Sequence, residues 1–193
     1  MKIFASLFIV ILLTSCGGKD FIRPQSDSLN LGSTTYDQII TNHGEPRRTG
    51  NLTRSGIPLK TITYSYAVAV PFTTKLSSKA MVFVFDNNVL VSYDYASSFE
   101  DDKELANYDD EKVKKITNGD KKDKVISILG RPGGEAIYPV VATKGNSIFI
   151  YSFIDTYRIP FVPTARVSRK TLTISFDSNG SVVEITSTES KPE

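Results

Sequence analysis

Apolar residues recur along the chain with two periods, and the order of those periods is written twice. From Thr35, the spacing of Tyr36, Ile39, Ile40 and His43 predicts a short helix with one apolar face. Thr35 with Gln38 three residues on is a capping-box pattern, and Gly44 and Pro46 end the run. Alternation follows in TITYSYAVAV, where Ile62, Tyr64, Tyr66, Val68 and Val70 point one way, as in a half-buried strand. Met81, Phe83 and Phe85 predict a second strand. The turn Asp86–Asn87–Asn88 leads into a third through Val89, Val91, Tyr93 and Tyr95.

The second passage begins at GDKKDKVISILGRP, Gly119 to Pro132, a near-twin of GSTTYDQIITNHGEP, Gly32 to Pro46. Asp120 is the expected N-cap, Val125, Ile126 and Leu129 share a helix face, and Gly130 can take the left-handed conformation that stops the helix. Strands are expected at 147–154, 171–176 and 181–186, with a turn around Ser178–Asn179–Gly180. YSY at Tyr64 matches YSF at Tyr151, and FVFDNNVLV at Phe83 matches ISFDSNGSVV at Ile174. The expected fold class is therefore α+β: two tandem repeats, each a short helix or helix pair packed on a three- to four-stranded antiparallel meander. The units run over 27–98 and 111–188. FEDDKELANYDDE, Phe99 to Glu111, carries seven acids and reads as a solvated acidic linker over 99–110, and 189–193 as a C-terminal tail.

The first twenty residues follow a different rule. MKIFASLFIVILLTSCGGKD has an apolar run from Ile3 to Leu13, too short to span a ~30 Å hydrocarbon core, so 1–15 reads as a signal peptide. LTSC, Leu13 to Cys16, resembles the lipobox of bacterial lipoproteins. That resemblance implies that Cys16 is lipidated, that 16–26 is a tether, and that the protein is anchored to the periplasmic side of the outer membrane, since Gly17 stands where an inner-membrane retention signal would carry Asp. Several acyl chains together anchor stably where one holds weakly.

Within the 193 residues, 40% are hydrophobic and 23% charged, an ordinary globular balance. A net charge of +2 without a clustered basic run argues against a nucleic-acid partner. One Cys and one His exclude an intrachain disulfide framework and a Cys/His zinc site made by one chain. His43 takes the core-facing slot filled by Leu129 in the second passage and reads as structural. Glu135, Asp155 and Glu184 show no pairing, and Gly133–Gly134 follows a helix end where a phosphate cradle would precede a helix start. No catalytic residue, metal site or cofactor is expected.

Gly119, Asp120, Val125, Leu129, Gly130, Pro132, Tyr151, Phe153, Phe176, Asp177 and Gly180 together resemble the SmpA/OmlA (BamE-like) outer-membrane lipoproteins. The doubled pattern is also similar to the β-lactamase-inhibitor-protein superfamily, in which two such units join their sheets. The resemblance implies a protein that acts by binding other proteins, as an assembly accessory or an enzyme inhibitor. The expected partner is another envelope protein. Candidate contacts are the Pro-Phe loops at Pro71–Phe72 and Pro160–Phe161, with Tyr157, Arg158, Arg166 and Arg169, because exposed aromatics beside Arg make interface anchors. These residues also suit anionic lipid headgroups. The alternatives are a carrier of a small hydrophobic ligand or lipid, using the aromatics around Tyr64, Tyr66, Tyr151 and Phe153, or a protein inhibitor of a secreted enzyme.

Overall fold

Thr35 caps the first helix from both sides. Its hydroxyl accepts the Gln38 N–H at 3.3 Å, and the Gln38 side-chain oxygen accepts the Thr35 N–H at 2.8 Å. The helix it opens, α1, covers Tyr36–His43 and buries Ile39. Among the described residues the other α-helices are α2 (Asp110–Val113) and α3 (Lys122–Leu129). The cap of α3 differs from the sequence expectation: Lys121 is the N-cap and makes no side-chain cap bond. Asp120 instead accepts the Thr117 N–H and the Lys124 ammonium, both at 2.8 Å. The structure, a computed structural model, describes residues 18–25, 28–102, 109–158 and 165–190.

The described residues also form eight strands: β1 (Arg48–Arg54), β2 (Ile57–Ala69), β3 (Lys75–Asp86), β4 (Val89–Ser97), β5 (Gly134–Ile137), β6 (Ser147–Arg158), β7 (Ala165–Phe176) and β8 (Val182–Ser190). The β3–β4 turn has Asn87 at φ 44° and Asn88 at φ 73° between the paired Asp86 and Val89, a two-residue hairpin matched to strand twist. All eight strands form one sheet in chain order, each antiparallel to the next.

The expectation of two α+β helix-on-meander units is overturned. The described residues are mostly β, their α-helices are short, and their strands do not divide into separate meanders. β6 pairs not only with β5 and β7 but also with β3, through Lys75–Tyr157 and Leu76–Thr156. It also runs parallel to the end of β4, through Ala96–Ser152 and Ser97–Phe153. Strands β3, β4, β5 and β6 therefore close a four-strand barrel on which the outer strands ride. Two features permit closure. Strand β5 is only four residues long, and a Cβ on Gly134 would sit 2.5 Å from the Tyr93 carbonyl oxygen and 2.8 Å from Asp94 Cα, so the two backbones approach as only glycine allows. Small side chains also occupy the seam: Ser78, Ala96, Ser152 and Thr156 are buried, and Ser78 and Thr156 share a 2.7 Å hydroxyl hydrogen bond.

Apolar packing divides around this barrel. Ile39 of α1 joins Ile62, Tyr64, Met81, Phe83, Phe85, Leu90, Tyr93 and Tyr95 in one cluster. Ile116 and Val125 join Phe149, Tyr151, Leu172, Ile174, Phe176 and Val182 in another. Leu59, Val84 and Val91 form a third, on the opposite face of the first strands. Each fully buried Ile, Leu or Phe contributes about 1.5–3 kcal/mol relative to exposure.

Candidate functional site

The turn between β2 and β3 reads Val70–Pro71–Phe72–Thr73. The Thr73 N–H donates to the Val70 carbonyl at 3.3 Å, and the Thr73 hydroxyl donates to the same oxygen at 3.0 Å. Proline in the second position and a positive φ in the third are the marks of a type II turn, which favours Gly or Asn in that third place. Here the third residue is Phe72, at φ 60°. Its ring is fully exposed, so it gains no burial to offset the left-handed backbone. Val68, two residues before the turn, is exposed as well, and the hairpin projects past the core that its earlier residues Ile62 and Tyr64 enter.

A second hairpin, β6–β7, lies against the first. The Arg158 N–H donates to the Thr74 carbonyl at 2.7 Å, and the cross-strand partners Lys75, Tyr157 and Arg166 form a row across three strands. Directly paired residues share a sheet face, so Tyr157 stands between two cations on one side of the tip. Arg158, exposed, points to the other side, and Val167 is exposed beside Arg166. The tip thus joins one protruding aromatic ring to a basic collar.

The other sequence-predicted residues fall elsewhere. Phe161 and Cys16 lie outside the described residues, as do residues 103–108 of the acidic linker. Arg169 is committed internally. Its guanidinium ion-pairs with Asp94 of β4, donates to Ser152 Oγ at 2.7 Å and, through Nε, to Thr171 Oγ1 at 3.1 Å. That cluster bridges β4, β6 and β7, and Asp94 Oδ1 is buried with no hydrogen-bond partner. Of the residues assigned to a carrier surface, Tyr64 and Tyr151 are buried core members whose hydroxyls bind the Gly44 and Gly130 carbonyls. Neither stands as an open aromatic surface: Phe21 covers the Tyr64 ring, and Tyr151 is packed within the second cluster.

His43 packs in the first cluster's rim, its ring 6.1 Å from Tyr64 and stacked 6.2 Å from Phe83. Desolvation holds its pKa below the ordinary 6.5. Neither a nucleophile nor a carboxylate is hydrogen-bonded to it among the described contacts, and its setting is that of a packed aromatic. No group of three or more His, Cys, Asp or Glu among the described residues is placed to hold a metal ion. No described helix is long and apolar enough to cross a membrane.

No protein-family model matches the chain, the SmpA/OmlA lipoproteins included, and no curated protein matches it. Among solved structures, a crystal structure of a Streptococcus mutans protein named as a "putative beta-lactamase inhibitor protein" is similar. It has 13% sequence identity and a TM-score of 0.47, over 84% of this chain and 91% of that one. At that level of similarity nothing about this chain's activity follows.

Proposed function

We propose that the protein is a non-enzymatic binding protein whose β2–β3 hairpin tip, beside the ends of β6 and β7, inserts into a concave site on another extracytoplasmic protein. One observation carries the reading: Phe72 holds a left-handed backbone conformation at full exposure, at the end of a hairpin that reaches past its own core. A residue kept in a disfavoured conformation with no compensating burial points to selection for what it touches outside the molecule. Aromatic anchors flanked by Arg are the side chains that dominate interface energetics.

The geometry favours one mode among the protein-binding readings. A protruding ring on the β2–β3 turn complements a cleft better than a flat surface, so inhibition of a secreted enzyme fits better than lateral attachment to an assembly. The collar of Lys75, Arg158 and Arg166 fits an acidic rim around an apolar pocket. Attachment to the periplasmic face of the outer membrane through lipidated Cys16 belongs to the same proposal and rests on the LTSC segment.

The test is photo-crosslinking in cells from a probe amino acid at position 72, with exposed Lys115 as the control site. The expected result is a discrete protein adduct from 72 and none from 115. The purified captured enzyme should then be inhibited by the protein and not by its Phe72→Gly variant. Adducts with lipid alone, or adducts equal at the two sites, would remove the tip from function.

A further inference from the structure

The residues between the expected lipidation site and the first repeat do not behave as a bare tether. Residues 18–25, GKDFIRPQ, lie across the aromatic face of β2, β3 and β4. The Phe21 ring packs 6.0 Å from Tyr64 and 6.3 Å, edge-on, from Tyr95. The Asp20 carboxylate is 2.7 Å from the Lys79 ammonium. Lys79 in turn stands over three rings, Phe21, Tyr66 and Phe99, at 5.2, 5.8 and 5.4 Å. The Arg23 guanidinium lies 5.0 Å over Tyr95. A Cβ on Gly18 would fall 2.1 Å from the Ser65 carbonyl oxygen, so the segment meets β2 at a place no other residue fits.

The seating differs in kind from the cover over the second half. Over the second cluster lies buried Ile116, in chain continuity with α2 and α3. Over the first lies an extended segment held by side chains, whose backbone hydrogen bond among the described residues is a local one, from Ser28 N–H to the Gln25 carbonyl. Unfilled space flanks Phe21 on both sides. A cleft of about 150 Å³ opens toward His43, Glu45 and Arg47, and one of about 520 Å³ toward Arg23, Tyr95 and Asp102.

We infer that this groove is a binding site for an extended peptide segment carrying an acidic residue followed directly by an aromatic one, and that residues 18–25 are its resident competitor. The occupant defines the chemistry. The acid meets Lys79 inside its ring cage, the aromatic enters between Tyr64 and Tyr95, and a small residue two positions before the acid passes Ser65. A partner segment with those features would displace the chain's own. An attached competitor acts at a high effective concentration, so an external segment binds weakly until the internal one is loosened. This site is separate from the hairpin tip, and its test does not involve Phe72.

The experiment uses the full chain and a fluorescent peptide of sequence GKDFIRPQ, followed by anisotropy. Binding to the Phe21→Ala chain should be about tenfold or more tighter than to the wild type. The same peptide with Phe21→Ala should not bind. Lys79→Glu, added to the Phe21→Ala chain, should weaken binding, and a peptide with Asp20→Lys should recover it. Gly18→Val detaches the segment at Ser65 without touching the groove, and should open the site as Phe21→Ala does. Equal binding to wild type and both loosened chains, or none to any, would overturn the inference. So would unfolding of both loosened chains, which would make the segment a fixed part of the core.

Discussion

Tyr151 donates its hydroxyl to the carbonyl of Gly130 at 3.0 Å, tying the end of α3 to β6. Tyr64 does the same for Gly44 at 2.7 Å, between α1 and β2. Each bond satisfies a helix-terminal carbonyl that the helix itself leaves unpaired. Tyr64→Phe and Tyr151→Phe should each destabilise by about 1 kcal/mol in urea denaturation. Burial also raises the Tyr64 pKa to about 12 from the ordinary 10.0. The unfolded chain then loses this proton first, so the contribution is complete below pH 10 and is lost as pH rises from 10 to about 12. Alkaline denaturation should be shallower over that window in Tyr64→Phe than in the wild type.

Phe72 separates stability from function. The left-handed conformation costs an L side chain roughly 1–2 kcal/mol, and glycine's larger chain entropy returns roughly 0.5–1 of that. Phe72→Gly should therefore raise the unfolding free energy by about 0.5–1 kcal/mol while abolishing crosslinking and inhibition. A Phe72→Gly chain that is less stable would show that the ring is packed after all.

The Asp94–Arg169 pair ties β4 of the barrel to β7 outside it, with Asp94's side chain 18% exposed and Arg169's 42%. Arg169→Ala leaves a mostly buried carboxylate without its cation and should destabilise by about 1–2 kcal/mol, a figure lowered for Arg169's solvent exposure. Adding Asp94→Ala should recover part of that loss, because the orphaned charge goes with it. A double variant no better than the single one would show that the pair, and not the stranded charge, carries the effect.

His43 sets an acid limit. Its folded pKa lies below 6.5 because burial disfavours the imidazolium. The unfolded chain thus binds the proton first as pH falls, and stability declines below pH 6.5 until the folded group also titrates. His43→Leu, which restores the residue found at Leu129, should flatten the stability profile over that window. An unchanged profile would place the acid sensitivity elsewhere.

Gly134 marks a close approach between β4 and β5. Because the nearest atoms to an added Cβ are backbone, Gly134→Ala has no flexible neighbour to displace and should destabilise by about 2–3 kcal/mol. By contrast, Lys115→Ala, at an exposed position, should fall within about 0.5 kcal/mol.

Local signals were legible at several places where one residue's chemistry decides the outcome, but not at Asp120, which was expected to cap α3 and instead binds the Thr117 N–H and Lys124. The Thr35 capping box, the Asn87–Asn88 turn and the alternation of Met81, Phe83 and Phe85 each correspond to an observed element. Strand β1 carried no such signal: RTGNLTR is an edge strand with no buried residue, so neither face imposes alternation. Strand β5 was too short to show a period. Barrel closure was hidden for a further reason. It depends on small residues such as Ala96 and Ser152, and on Lys75 meeting Tyr157, which are compatible with many local structures and acquire meaning only when distant strands meet. At the candidate site, Phe72, Tyr157, Arg158 and Arg166 were recognisable as aromatics beside cations. Arg169 shared that appearance, and only its pairing with Asp94 separates it from them. The packing of Phe21 went unread because GKDFIRPQ has no periodicity, and a single aromatic in a polar segment looks the same docked or free.

The closed barrel also dictates an order of events when the chain is made. A ribosome delivers the amino end first, so β3 and β4 emerge long before β5 and β6, the strands that later pair with them. Until about Arg158 has appeared, the early half presents the unsatisfied backbone of β4 and the end of β3 as an open template for any extended chain nearby. The hazard is greatest in that interval and ends with ring closure, so a truncated product stopping before β6 should be more aggregation-prone than any single-residue variant of the whole.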